Sequence, residues 1–418
     1  MDKFFVVGGH HLSGEVEIDS AKNSLLPILA ACILVEDEVV LKKVPRYSDV
    51  LAMCEIIQNL GGSATWQEDN LIINCKCLNV SEVPNELASK VRASIFTLGA
   101  IIARQGSAKV SYPGGCDIGL RPIDIHLNGL RSFGCKIIEK NGYIYADGSN
   151  AKSGDFMLSF ASVGATENLM MFASLLDGET RIFNPAREPE IVDLQNFINA
   201  CGGRVSGAGS NMIVVEGVKK LYGCEYKTIP DRIEAGTFMI ATAMCGGRVV
   251  LKNIRAEHNN LLLTKLMSAN CKIKNIDDGL IISSSGRPLS FGEIETAVYP
   301  GFPTDLQAQM MALASISKGY SLICENLFES RFKHVSELIK LGADIRFKNG
   351  IGIVNGKKKL YGADVSATDL RGGASLILAG LVAEGYTTID RVDLIDRGYY
   401  KIEEKLSLLG GEIKRIKN

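Results

Sequence analysis

Two common phosphate-binding signatures are missing from this sequence of 418 residues: there is no G-x-x-x-x-G-K-[ST] and no G-x-G-x-x-G. A P-loop and a dinucleotide-binding turn are thereby excluded. There are five histidines, none in H-x-x-x-H spacing, and the eleven cysteines include no C-x-x-C, the nearest pair being Cys75 and Cys77. No metal site is expected from such spacing. The chain opens M-D-K-F-F-V-V-G-G-H-H, without the charged and apolar segments of a signal peptide. A cytoplasmic protein with reduced thiols is expected. The longest apolar runs, Leu25–Val35 and Ala374–Ala383, are too short to span a bilayer. Net charge is −1, so no global field draws the chain to nucleic acid or to an acidic membrane. Neither partner is expected, and the sequence does not set an oligomeric state. Any anion must be held by locally placed cations.

What is present is repetition. Hydrophobic residues make up 46% and charged residues 22%, an ordinary globular balance for a chain of two or three domains. One phrase, a helix end followed by a small residue and two short strands, recurs as N-L-G-G-S-A-T-W, S-F-G-C-K-I-I-E, A-C-G-G-R-V-S-G, S-A-N-C-K-I-K-N, K-L-G-A-D-I-R-F and L-L-G-G-E-I-K-R. Its turn positions are Gly61, Gly134, Gly202, Asn270, Gly342 and Gly410, with successive differences of 73, 68, 68, 72 and 68. Gly or Asn at each fits a left-handed residue just past a helix. Six copies of one strand–helix unit follow.

A second marker bears on topology. L-Y-G occurs at Leu221–Gly223 and Leu360–Gly362, and L-S-G at Leu12–Gly14, each ahead of a strand-like run. The last repeat runs to Asn418 without such a closing strand. The N-terminal strand is expected to supply it. That predicts one discontinuous domain, 1–21 plus 230–418, with repeats four to six. The other, 22–229, holds repeats one to three and the loop around Cys116.

Each repeat also opens a long apolar helix at a matching place: Ser20, Val91, Ser162, Arg232, Thr304 and Asp369. Ser, Thr or Asp there is an N-cap signal. Helices this apolar belong in a core. Their first turns carry Lys22, Arg92, Arg232 and Arg371. A cation there opposes the helix dipole by roughly 0.3–1 kcal/mol. An anion at the helix starts would relieve the conflict in all four. Pairing with acids such as Asp19, Asp231 and Asp369 is the alternative, and at Arg232 it explains the charge equally well.

Tyr112–Ile125 reads Y-P-G-G-C-D-I-G-L-R-P-I-D-I, a glycine-rich loop. A cysteine displayed there beside Arg121 is a candidate acid or nucleophile. The other ten cysteines, among them Cys32, Cys54, Cys201 and Cys245, sit in apolar or helix-end contexts and read as packing.

These residues resemble a known family, the UDP-N-acetylglucosamine 1-carboxyvinyltransferases. The shared motifs are G-E-V-x-I-x-x-A-K-N at 14–23, P-G-G-C-x-I-G-x-R-P-x-D-x-H at 113–126, S-V-G-A-T at 162–166, A-R-E-P-E-I-V-D at 186–193, F-P-T-D-x-Q-A-Q at 302–309, T-D-L-R at 368–371 and D-R-G-Y at 396–399. The resemblance covers nearly the whole chain. It implies an α/β fold of two inside-out α/β barrel domains with six βαβ-type repeats, three per domain, and the active site between them. The implied reaction moves the enolpyruvyl group of phosphoenolpyruvate to the 3-hydroxyl of UDP-N-acetylglucosamine and releases phosphate, opening peptidoglycan precursor synthesis. No cofactor or metal is implied.

The site residues follow from the same resemblance. Cys116 resembles the loop cysteine that donates a proton, bonds to phosphoenolpyruvate and is alkylated by the epoxide fosfomycin. Asp305 resembles the carboxylate facing the sugar hydroxyl. Lys22, Arg121 and Arg397 look like the phosphoenolpyruvate clamp, with Asn23, Arg331 and Arg371 nearby. Arginine suits that task because its planar fork offers two donors to one anion. Asn23, Arg92, Thr304, Asp305 and Leu327 match positions lining the sugar nucleotide. Arg121, Pro122, Ile123, Asp124 and Ile125, with Ser162, Val163 and Gly164, match the uridine and diphosphate site. Some members carry Lys where this chain has Phe160, and glycines at 372 and 373 suggest a loosened helix start. Three rival readings fit the sequence less well. A 3-phosphoshikimate 1-carboxyvinyltransferase lacks the P-G-G-C loop, an RNA 3′-phosphate cyclase fits neither the charge nor the histidines, and an inactive paralogue would have lost Lys22, Cys116, Asp305 or Arg397.

Overall fold

A computed structural model describes residues 2–114 and 118–417. Six four-stranded sheets share one strand order. In repeat one the order is Glu225–Tyr226, Glu38–Leu41, Asn70–Asn74, Ser63–Gln67; the first pair is parallel and the rest antiparallel. Repeats two to six repeat this order, with Glu82–Val83, Asp155–Met157, Leu12–Glu17, Glu293–Glu295 and Asp364–Ser366 as the parallel edge strands. A parallel pair cannot be joined by a tight turn, so a helix fills the crossover where the two strands are consecutive, as between Glu82–Val83 and Ser107–Ser111. In repeats one to five the antiparallel pair behind the turn residue is a hairpin; in the sixth the strand behind it pairs with the N-terminal strand Lys3–Val7. The turn residue has positive φ in all six copies, 97° at Gly61, 92° at Gly134, 89° at Gly202, 71° at Asn270, 93° at Gly342 and 93° at Gly410.

The N-terminus closes two sheets, where the sequence suggested one. Lys3–Val7 lies between Tyr386–Asp390 and Glu412–Ile416, completing the sixth sheet. Leu12–Glu17 pairs along Gly247–Lys252 as the edge of the fourth. The L-S-G marker therefore lies inside a strand and does not precede one.

The chain forms two compact units. Of the described residues, one comprises 2–19, 118–120 and 230–417, and the other 20–114 and 121–229. Two segments fall differently from the sequence-based boundaries. Ser20 and Ala21 belong with repeats one to three, because Ala21 N–H donates to Ile229 O (2.8 Å) and Ser20 Oγ to Lys43 O (3.0 Å). Residues 118–120 belong with repeats four to six, because Ser330 N–H donates to Ile118 O (3.1 Å) and Leu120 N–H to Glu329 Oε1 (2.8 Å).

Within each unit three helices form the centre and the sheets surround them. Lys22–Ala31, Thr97–Gln105 and Val163–Ala173 pack on one another in one unit, and Arg232–Cys245, Gln307–Ile316 and Leu370–Val382 in the other. Arg232–Cys245 and Gln307–Ile316 are buried along their entire length. Strand alternation supplies the facing wall: Val249 and Leu251 point inward from one strand, Leu280 and Ile282 from its neighbour. Each such side chain contributes about 1.5–3 kcal/mol on burial. Among the described residues, no helix is long and apolar enough to cross a membrane.

Candidate functional site

In the unit of repeats one to three, the central helices begin without acidic caps. Ala21 and Val91, at the starts of repeats one and two, make no side-chain cap bond, and neither first turn contains an acid. The start of repeat two is a 3₁₀ turn, Arg92–Phe96, before Thr97–Gln105. The third helix is capped by a neutral hydroxyl, with Ala165 N–H donating to Ser162 Oγ at 3.4 Å. Val163 and Gly164, half-buried, form its first turn. Phe160, 50% exposed, accepts the Ser162 N–H through its carbonyl at 2.7 Å.

Lys22 is buried, with Nζ 3.4 Å from the buried Asp49 carboxylate, and Asn23 follows it half-buried. Arg92 donates from Nη2 to the Arg121 carbonyl, and Arg121 itself has φ of +46°. Behind Arg121, Pro122 and Asp124 are exposed, Ile123 is buried and Ile125 half-buried, as the chain enters the helix Asp124–Ser132.

Sequence reasoning did not single out His126. Its imidazole is buried, with Nδ1 3.1 Å from Asn168 Nδ2. Asn168 donates there, so Nδ1 accepts and the proton sits on Nε2. Desolvation, then the Arg92 and Arg121 charges, lower its pKa to about 3. Gly164 touches this ring: an added Cβ would lie 2.9 Å from Phe96 and 3.2 Å from His126 Cε1. Ser162–Gly164, Arg92, Arg121 and His126 thus form one neighbourhood. The only sequence sign of His126 was its place at the end of the R-P-x-D-x-H motif.

In the unit of repeats four to six the helix starts carry their own carboxylates. Asp231 accepts from Ile233 and Glu234 N–H at 2.8 and 2.9 Å. Asp369 accepts from Arg371 and Gly372 N–H at 3.0 and 3.1 Å. Asp305 lies in the 3₁₀ turn Thr304–Leu306 that leads into Gln307–Ile316. Asp19, a suggested partner for a helix-start cation, instead meets Lys405 at 2.7 Å, which also holds Glu234 at 2.6 Å.

Asp305 is held on both oxygens. Arg331 Nη2 donates to Oδ1, and Arg371 Nη2 to Oδ2 at 2.8 Å. Both arginine side chains are 3% exposed and the aspartate 26%. Burial works against the Arg371 charge, but Asp305, Tyr399 and Asp231 together outweigh it and raise the guanidinium pKa. Arg371 Nη1 is buried and has no hydrogen-bond partner among the described residues. Half-buried Arg397 follows Asp396, whose carboxylate receives two bonds from Arg415 at 2.6 and 2.9 Å.

The glycines after Arg371 do not loosen the helix start. A Cβ on Gly372 would lie 2.6 Å from Thr368 Oγ1 and 2.8 Å from Asp369 Oδ2, and one on Gly373 2.5 Å from Ile395. Cap and core fill the space that a side chain needs.

Cys116 lies outside the described residues. Of the remaining cysteines, Cys77 is exposed, Cys224 half-buried and the others buried, all with free thiols. Burial pushes Cys54, Cys75 and Cys245 up to about 12, which suits packing and not reactivity.

The sequence model of the family described as EPSP synthase (3-phosphoshikimate 1-carboxyvinyltransferase) matches residues 6–406. The chain is 46% identical over 416 residues to UDP-N-acetylglucosamine 1-carboxyvinyltransferase 2 of Caldanaerobacter subterraneus subsp. tengcongensis, covering 100% of both chains. It is 47% identical over 419 residues to UDP-N-acetylglucosamine 1-carboxyvinyltransferase of Thermotoga petrophila, covering 100% of this chain and 99% of that one. The chain belongs to the enolpyruvyl transferase family. The enolpyruvyl transferase fold is shared with solved structures at much lower identity. NikO from Streptomyces tendae superposes with a TM-score of 0.89 at 22% identity, over 100% of this chain and 99% of that one. EPSP synthase from Acinetobacter baumannii gives 0.76 at 19%, over 100% of both.

Proposed function

We propose that this enolpyruvyl transferase moves the enolpyruvyl group of phosphoenolpyruvate to the 3-hydroxyl of UDP-N-acetylglucosamine and releases phosphate, a step of peptidoglycan precursor synthesis. The observation that carries the reading is Asp305, a carboxylate at a helix start held on each oxygen by a buried arginine. Full-length relatives at 46–47% identity bear the name of that activity.

The chemistry is an addition followed by an elimination. The sugar oxygen attacks C2 of phosphoenolpyruvate, its proton passing to a base, while C3 takes up a proton and becomes a methyl group. Loss of phosphate from C2, with a proton removed from that methyl, restores the double bond. Asp305 is the base that faces the sugar hydroxyl, fixed in orientation by its two arginines. Cys116 is the proton donor to C3. Lys22, Arg121, Arg331, Arg371 and Arg397 neutralise the carboxylate and phosphate, with Asn23 alongside. Among the described residues Arg371 Nη1 is a buried donor without an acceptor, and an anionic substrate would supply one. Arg92 and the 121–125 stretch, with Ser162–Gly164, hold the uridine and diphosphate, where a helix start capped only by the Ser162 hydroxyl, with no acid in its first turn, favours an anion. Thr304 and Leu327 line the sugar.

Phosphate release from phosphoenolpyruvate, followed with UDP-N-acetylglucosamine and separately with shikimate 3-phosphate, tests the reading. Release is expected with the sugar nucleotide alone; release only with the shikimate ester, or with neither, overturns it. Fosfomycin offers a test of Cys116: thiolate attack opens the epoxide and nothing leaves, so the intact inhibitor mass is expected on Cys116 with loss of activity. Full activity after long exposure, with no added mass, removes Cys116 from the mechanism.

A further inference from the structure

We infer that Glu325 is a positioning residue that sets the Asp305 turn and the Leu327 turn together through one carboxylate. This rests on the proposed transfer reaction, in which Asp305 faces the sugar hydroxyl and Leu327 lines the sugar nucleotide.

Glu325 follows the strand Tyr320–Cys324 and is 7% exposed. Its N–H donates to Gly350 O at 2.8 Å, which fixes the backbone at the strand end. Oε1 accepts three bonds, from Thr296 Oγ1 at 2.9 Å, Leu327 N–H at 2.9 Å and Phe328 N–H at 3.1 Å. Oε2 accepts one, from Thr304 Oγ1 at 2.8 Å. Thr296 in turn accepts the Asn326 N–H at 2.9 Å through the same hydroxyl. All four groups around the carboxylate are presented as donors, and none carries a charge. Oε1 therefore shapes the 326–328 turn, and Oε2 reaches the residue that precedes Asp305.

From Thr304 the chain of contacts runs to Asp305. Arg331 Nε lies 3.4 Å from the Thr304 carbonyl, and the same guanidinium holds Asp305 Oδ1. The Asp305 carbonyl accepts from Gln309 Nε2 at 3.0 Å. A shift of Thr304 thus moves both the base and one of its two arginines. Nothing in the C-E-N stretch at 324–326 marks this residue in the sequence.

The two oxygens have different tasks, and substitution separates them. In Glu325→Gln the amide oxygen can keep the three Oε1 bonds, and only the Thr304 contact changes from accepting to donating. Glu325→Ala removes all four. Loss of one positioning bond corresponds to roughly a tenfold rate effect. For E325Q, kcat is expected to fall about tenfold with KM for UDP-N-acetylglucosamine within about twofold of wild type. E325A is expected to lower kcat and raise that KM together. T304V breaks the same bond from its other end, so E325Q combined with T304V is expected to be no slower than the more affected single variant.

An E325Q enzyme with lowered Tm but unchanged kcat and KM overturns the inference, since that is the pattern of a residue important only for stability. Should E325Q not fold, T304V with wild-type kcat overturns it equally. Wild-type turnover with UDP-N-acetylglucosamine reports separately on the proposed reaction. A second readout needs no turnover: hydrogen exchange at the Leu327 and Phe328 amides is expected to quicken at least about tenfold in E325A. Unchanged exchange there overturns the assignment even if the enzyme has a different substrate.

Discussion

The two units are built from the same repeat, yet they treat their helix starts in opposite ways. In repeats four and six the positive end of each central helix is satisfied from within, by Asp231 and Asp369. In repeat five Asp305 lies in the first turn. In repeats one to three no first turn contains an acid, and the sole side-chain cap is the hydroxyl of Ser162. A helix N-terminus with its own carboxylate has little left to offer an anion, whereas one without it keeps free N–H groups and an uncompensated dipole. The same repeat therefore supplies helix starts without acids, the proposed diphosphate cradle, in one unit and a fixed, arginine-bound carboxylate in the other. The carboxylates of Asp231 and Asp369, which the sequence offered as partners for the helix-start cations, serve as caps, and the proposed anion is confined to the starts without acidic caps.

The largest expected effect breaks the carboxylate side of this comparison. Asp305→Asn keeps the shape and removes the base, and kcat should fall by about 10²–10⁴ with the fold retained, as read by steady-state phosphate release and circular dichroism. Wild-type kcat would leave Asp305 as a structural acid.

A second test uses the buried histidines, one in each unit. The His126 pKa is lowered to about 3 by desolvation and two arginines, and the His334 pKa to about 4 by desolvation that Asp369 partly offsets. In each case the folded state holds its proton less tightly than the unfolded chain does. The stabilisation is therefore complete above the unfolded value near 6.5 and is lost as pH falls toward 3 or 4. Between pH 7 and pH 5 each histidine should cost on the order of 2 kcal/mol, measured by urea unfolding. His126→Gln should remove its share of that slope and leave the His334 share in place.

Transplanting a cap sharpens the comparison. Ser162→Asp gives repeat three the carboxylate cap found in repeats four and six. Stability should hold or rise slightly, while KM for UDP-N-acetylglucosamine rises about tenfold as the new charge meets the diphosphate. An unchanged KM would show that this helix start does not hold the anion. The converse loss is smaller: Asp369→Ala should destabilise by about 1 kcal/mol, and Ser162→Ala, with its longer 3.4 Å contact, by less in the same thermal unfolding series.

The repeats were legible in the sequence because a left-handed turn accepts few residue types, so Gly or Asn had to recur at each of these turns. The double use of the N-terminus was half legible. A missing closing strand could be counted, but the pairing of Lys3–Val7 with strands nearly four hundred residues away leaves no local pattern. Motifs located Asp305 and Arg371, and the family resemblance named Arg331, but not their mutual grip, which spans 26 and 66 residues of separation. Asp231 and Asp369 were visible as acids beside arginines. Their role as caps depends on the extended backbone at the N-cap, which aims the carboxylate at the second and third helical N–H groups. His126 and Glu325 matter through what surrounds them, and residue spacing does not record that.

Backbone amide chemical shifts during titration with UDP-N-acetylglucosamine test the contrast between the two kinds of helix start most directly. Large shifts are expected at Val163, Gly164 and Ala165, with Ile233, Glu234 and Gly372 nearly unmoved. Shifts at the carboxylate-capped starts with none at 163–165 would contradict the account.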